Sequence, residues 1–121
     1  MNPIKRATHA ASLVLAGMTL GAFVQSASAA VDEEAAKALL RQNNCLKCHA
    51  VDKDKDGPAY KKVAAKYKGK SDAEQRLIQH ITSGEKAKFP DGHEEEHKVV
   101  RTSPAKDMAQ IRNLVQYILA Q

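Results

Sequence analysis

The sequence predicts an all-α domain of about four helices, preceded by an export signal. Three observations lead there. Apolar residues recur at three- and four-residue spacing in four separate stretches. Residues suited to starting or stopping a helix bound those stretches. No stretch alternates with the two-residue period of a half-buried strand. The 121 residues, 43% apolar and 27% charged, fit one globular domain and exclude a disordered or collagen-like chain.

The opening segment reads as the signal. Lys5 and Arg6 give a basic start, residues 10–24 are almost wholly apolar, and Ala27 and Ala29 are the small residues a signal peptidase reads. The apolar run is short for a membrane span, which needs about 20 residues. Cleavage after Ala29 divides the chain into a signal, residues 1–29, and a domain, residues 30–121, with cleavage after Ala30 a near equivalent. Taking 29 residues from 121 leaves 92, and losing Lys5 and Arg6 lowers the formal charge from +5 to +3. The remaining lysines are interspersed with acids and form no basic stripe, so nucleic acid is not an expected partner. With no second apolar span, the mature form is expected outside the cytoplasm and not spanning a membrane. It keeps Phe89, Tyr60, Tyr67 and Tyr117 and has no Trp, a thin core for its length.

In chain order, Asp32 caps a first helix with Glu33 and Glu34 in its first turn and Ala35, Ala36, Leu39 and Leu40 on one face. That helix breaks near Asn43-Asn44. A polar loop then runs to Gly57-Pro58, a turn signal. Tyr60, Val63, Ala64 and Tyr67 mark a second helix ending near Gly69. Ser71 and Glu74 form a capping box for a third, with Leu77, Ile78 and Ile81 inward and Gly84 closing it. Residues 85–102 show no period and read as a long loop. Ser103 and Pro104 fit the N-cap and first turn of a last helix whose stripe is Met108, Ile111, Leu114, Val115, Ile118 and Leu119.

Cys45-Leu46-Lys47-Cys48-His49 is Cys-x-x-Cys-His, the attachment signature of c-type haem. Two thiols three positions apart reach the two vinyl groups on one side of a porphyrin, and the adjacent His49 turns its ring under the iron. The alternative is a Cys45–Cys48 disulfide or a thioredoxin-like pair. His49, and the lack of any βαβ pattern, favour haem.

From about Asn43 to Gln121 the chain resembles the small class I cytochromes c, the single-haem electron carriers of the bacterial periplasm. The matching pieces occur in order: Cys45 to Ala50, Gly57-Pro58-Ala59-Tyr60, Val63 to Tyr67, Ile81 with Gly84, and Leu114 to Leu119. The resemblance implies first and last helices that cross, and one covalently attached haem c whose bulk fills the core. It also implies a Pro58 carbonyl that accepts the His49 Nδ1 hydrogen bond. Tyr117 falls where the family packs an aromatic residue between the crossing helices.

The second axial ligand departs from the family pattern, which uses a methionine in a Pro-rich loop before the last helix. Met108 is the one methionine of residues 30–121, and its place in the last helix suits core packing better than ligation. His93 and His97 lie in the irregular loop, and His97 is nearer the expected place. The reading adopted is ligation of iron by His49 and His97, with Met108 and His93 as alternatives. His80, on the third helix, is expected to be exposed and is given little weight. His93-Glu94-Glu95-Glu96-His97 also matches the zinc-protease pattern His-Glu-x-x-His, which requires a helix that this segment does not predict.

These residues point to electron transfer rather than substrate turnover, because an iron with both axial places filled has none for a substrate. The expected partners are redox proteins met through complementary charge, with Lys47, Lys61, Lys62 and Lys66 as candidate contacts and the protein itself a monomer. The alternative is a haem sensor or ligand carrier with an open or displaceable sixth site. A peroxidase would need distal groups, for which only Arg101 with a free His93 is available.

Overall fold

A computed structural model describes residues 29–121, so the signal lies outside the described residues except for Ala29. Among the described residues four α-helices form: α1 (Glu33–Gln42), α2 (Tyr60–Tyr67), α3 (Ala73–Ser83) and α4 (Met108–Leu119). A single 3-10 turn, Cys45–Lys47, follows α1. Among the described residues no helix is long and apolar enough to cross a membrane.

The expected cap of α1 is present: the Asp32 carboxylate accepts the Ala35 N–H at 2.9 Å, with Glu33 and Glu34 in the first turn. Asp32 also ties α1 to α4, since its N–H donates to Asn113 Oδ1 and its carbonyl accepts from Asn113 Nδ2, both at 2.8 Å. The other two expected caps are corrected. The N-cap of α3 is Asp72, without a side-chain cap bond. Glu74 turns instead to α4, where it pairs with Arg112 at 3.3 Å and takes a hydrogen bond from Gln116. A contact between helices thus takes the side chain that a capping box would have used. Helix α4 begins at Met108, beyond Ser103-Pro104, because the Asp107 carboxylate accepts from the N–H groups of Ala109 and Gln110 at 2.9 and 3.2 Å.

Helix α4 is the spine on which α1, α2 and α3 pack. Leu114, Val115, Tyr117 and Ile118 bury its inner face against Ala36, Leu39 and Leu40 of α1, Tyr60 of α2 and Leu77 of α3, and Ile111 is also buried. Ile78, Ile81 and Leu119 pack at the margin and remain half-buried, while Ala35 is exposed. Met108, expected within the stripe, is 44% exposed because it is the first residue of the helix, beyond the packed face. Leu114 is 2% exposed at the centre of this contact. Leu114→Ala is expected to lower stability by about 2–5 kcal/mol, the usual cost of truncating a buried leucine, as measured by chemical unfolding of the intact protein.

The long loop contains a feature that periodicity did not predict. Lys86–Lys88 (β1) and Glu94–Glu96 (β2) pair as an antiparallel ribbon in the register Lys86↔Glu96, Ala87↔Glu95, Lys88↔Glu94. Opposite charges face each other at both ends, a favourable cross-strand arrangement. Phe89 and His93 close the hairpin (Phe89 N–H to His93 carbonyl, 2.8 Å), with Gly92 at φ 94° in its turn. Strands of three residues are too short to show alternation, which explains why the segment reads as loop.

Candidate functional site

Asn43 and Asn44 end α1, and Asn44 takes a left-handed conformation (φ 55°) that swings the chain into the Cys45–Lys47 turn. The N–H groups of Cys48 and His49 both donate to the Cys45 carbonyl, at 3.2 and 3.0 Å, so the turn fixes both cysteines and His49 in one short arc. Both cysteines are half-buried, and no disulfide joins Cys45 to Cys48.

The His49 ring is held on several sides. Its Nδ1 lies 2.8 Å from the Pro58 carbonyl, and since a carbonyl only accepts, Nδ1 carries the proton and Nε2 keeps a free lone pair. The buried Tyr60 ring stacks on His49 with centres 5.2 Å apart and planes at 18°. Gly57 closes a further side: a Cβ there would sit 2.7 Å from His49 Nδ1 and 2.8 Å from Nε2. Gly57 has no positive φ. Its need for hydrogen in place of a side chain comes from the imidazole beside it, beyond the turn that the sequence suggested. Burial raises the Tyr60 hydroxyl far above the ordinary tyrosine range, so it stays neutral.

The second imidazole comes from the end of the ribbon. His97 follows β2, and its ring centre lies 6.2 Å from that of His49, with planes at 51°. Its Nδ1 donates to the Lys98 carbonyl at 2.9 Å, again leaving Nε2 free. Burial, followed by the neighbouring His80, lowers its pKa, so the ring is neutral and its lone pair available. An imidazole nitrogen binds a first-row metal at about 2 Å, which puts the ring centres of two imidazoles sharing one metal about 6 Å apart. The observed spacing fits that requirement.

The segment carrying His97 is fixed along its length. The His97 N–H donates to the Glu85 carbonyl at 2.9 Å, and the Val100 N–H donates to the Ile81 carbonyl at 2.8 Å. Asn43 clamps the Arg101 backbone, accepting its N–H at 2.7 Å and donating to its carbonyl at 3.0 Å. A cavity of about 560 Å³ opens beside this segment, lined by Asn43, Asn44, Gly84, His97, Lys98 and Arg101 among others.

The alternative ligands are placed elsewhere. His93 stacks on Phe89 at the ribbon turn (4.3 Å) and is exposed, with Nδ1 bonded to Asp91 and Nε2 3.1 Å from Glu95. Those carboxylates raise its pKa, Asp91 foremost, and occupy both ring nitrogens, so His93 is no free distal partner for Arg101. Residues 93–97 run through a strand rather than a helix, and among the described residues no group of three or more metal-ligating side chains forms, so the zinc-protease pattern has no site. His80, expected at an exposed position, is a correction: its ring lies 4.3 Å from His97 and its side chain is only 30% exposed. Its place one turn before Gly84 was the signal that it faces the returning loop.

The profile of the family described as Cytochrome c matches residues 33–121. The chain belongs to the cytochrome c family. It is 66% identical to the class 1 cytochrome MtoD from Sideroxydans lithotrophicus ES-1, whose crystal structure it matches over 75% of this chain and 97% of that one, with a TM-score of 0.70. The crystal structure of Nitrosomonas europaea cytochrome c552 matches at 31% identity, covering 69% of this chain and 96% of that one, with a TM-score of 0.55. Cytochrome c-551 of Pseudomonas aeruginosa is 38% identical over 71 residues, 59% of this chain and 65% of that protein. This match and that to the curated cytochrome c-552 of Nitrosomonas europaea, at 64%, both fall short of two thirds of the relative's length. The fold is therefore that of a small class I cytochrome c, with α1 and α4 as its packed first and last helices. As a cytochrome c, the protein carries covalently attached haem c with its iron, and Cys45 and Cys48 stand in the attachment motif.

Proposed function

We propose that this cytochrome is a periplasmic one-electron carrier, with haem attached through Cys45 and Cys48 and iron held between His49 and His97. The observation that carries the reading is the pair of imidazoles 6.2 Å apart, each with Nδ1 tied to a backbone carbonyl and Nε2 free. When bound, haem supplies a couple that gains and loses one electron at iron. The chain sets how easily that happens. The Pro58 carbonyl orients His49 and makes it more basic, and Lys98 does the same for His97. His49 and His97 would together hold the iron of bound haem and compete with small exogenous ligands for it, which favours a carrier over an enzyme or a sensor. A second imidazole favours ferrous iron less than a thioether does, so the potential lies below that of a His/Met relative.

The export reading of residues 1–29 and the class I fold support a periplasmic location. Docking to redox proteins rests on surface charge. Lys61 and Lys62 pair with Asp52 and Asp54, and Lys66 lies 5.5 Å over the Tyr67 ring. Lys47, exposed beside the attachment turn, has no acidic partner among the described residues and is the contact best placed to steer an acidic partner. The test is an optical spectrum of the purified protein, oxidised and reduced, with and without CO. The expected result is low-spin iron that takes up CO only slowly and lacks the methionine charge-transfer band when oxidised. Prompt CO uptake overturns the carrier reading in favour of a ligand-binding or sensor protein, and that band assigns methionine in place of His97.

A further inference from the structure

Beyond the two candidate ligands, side chains of α3 and of Glu85 just after it converge on His97. The Nδ1 of His80 bonds to Glu85 Oε1 at 2.6 Å, and the same oxygen accepts from Arg76 Nη1 at 2.8 Å. The carbonyl of Glu85 accepts the His97 N–H at 2.9 Å. Glu85 therefore holds His97 twice, directly at its main chain and through His80 at its ring, whose centre lies 4.3 Å away. Gly84 makes this possible: its left-handed conformation (φ 72°) ends α3 and turns Glu85 back beside the helix, within reach of Arg76 and His80.

The bond from His97 Nδ1 to the Lys98 carbonyl fixes which nitrogen is free, but one hydrogen bond leaves the ring able to rock about it. A neighbouring ring, itself locked by a carboxylate, restrains that rocking. We propose that His80, clamped by Glu85 and Arg76, is a positioning residue for His97, fixing the orientation of that imidazole and opposing its departure from iron. The proposal rests on His97 being the second axial ligand. It assigns Arg76, His80 and Glu85 a role toward the haem that none of them has as a ligand.

The test uses the haem-loaded protein and compares His80→Ala, His80→Phe and Arg76→Ala with the parent and with His97→Ala. Two quantities are read: the rate at which the reduced form takes up CO, and the electron paramagnetic resonance signature of the oxidised form, which reports imidazole orientation. His80→Ala is expected to take up CO at least about tenfold faster than the parent, the scale on which supporting groups act, and to shift the resonance signature. His80→Phe, which keeps a ring against His97, returns the rate toward that of the parent, and Arg76→Ala moves it in the same direction as His80→Ala by less. A merely structural role would alter unfolding and leave both quantities unchanged.

Parent-like values in His80→Ala overturn the proposal. Should that variant fail to accumulate, parent-like values in Arg76→Ala overturn it equally. His97→Ala separates this proposal from the reading beneath it. If that variant opens to CO while His80→Ala does not change, only the positioning role falls. If His97→Ala stays low-spin and inert to CO, the ligand assignment falls and takes the positioning role with it.

Discussion

Replacing His97 with alanine is expected to convert the iron from low-spin to high-spin and to open the reduced protein to CO. The effect should exceed the roughly ten- to hundredfold change typical of a supporting group, because a ligand itself is lost. The alternatives place no comparable nitrogen or sulfur opposite His49. His93 has both ring nitrogens committed to Asp91 and Glu95 on an exposed turn. Met108 is 44% exposed at the start of α4. Met108→Leu and His93→Ala are therefore expected to leave the spectrum unchanged. His97→Met probes the same place from the other side: a thioether there should raise the reduction potential above the parent's, measured by redox titration. An unchanged low-spin spectrum in His97→Ala refutes the assignment, and a spectrum lost in Met108→Leu moves it to Met108.

Gly57→Ala is expected to disturb the other side of the iron site almost as strongly. The added methyl would meet the imidazole of His49 at 2.7 Å from Nδ1 and 2.8 Å from Nε2, closer than two such atoms can approach. The Gly57 N–H is bonded to the Cys48 carbonyl at 2.7 Å, so the backbone on this side is tethered to the attachment turn. The ring must tilt, which strains its 2.8 Å bond to the Pro58 carbonyl. Overpacking of this kind costs about 1–3 kcal/mol. The expected readouts are a lowered unfolding midpoint, a shifted haem spectrum and faster CO uptake in the reduced form. Pro58→Ala, which keeps the carbonyl, is expected to be much milder. Equal effects from the two would show that the turn, not the space for His49, is what Gly57 provides.

The helices were legible because each carries its own periodic apolar face: Leu39 and Leu40, Tyr60 and Ala64, Leu77, and Ile111, Leu114, Val115 and Ile118 all lie in the core as their spacing requires. The attachment motif was equally legible, since Cys45, Cys48 and His49 are adjacent in the chain and their chemistry depends on that adjacency. The helix starts were less so. Ser71 and Ser103 are sound local caps, yet Asp72 and Asp107 begin the helices, because Glu74 is drawn to α4 and the Asp107 carboxylate reaches two N–H groups. The ribbon was not legible, its strands being three residues each.

The sequence by itself determined the helical core, the pair of cysteines that hold haem and the histidine beside them, because those features depend on neighbours a few positions apart. It also offered two histidines, His93 and His97, in the loop before α4 as candidates for a second ligand. Only the tertiary structure set His93 and His97 apart in space: the ribbon turns one out among Asp91 and Glu95 and brings the other to within 6.2 Å of His49. It alone brought His80 against His97, and it alone showed that Gly57 makes room for an imidazole. The physical reason is the same in each case. Periodicity and motif spacing are written along the chain, whereas the approach of two rings from distant segments is set by how those segments pack and by the hydrogen bonds that hold them there.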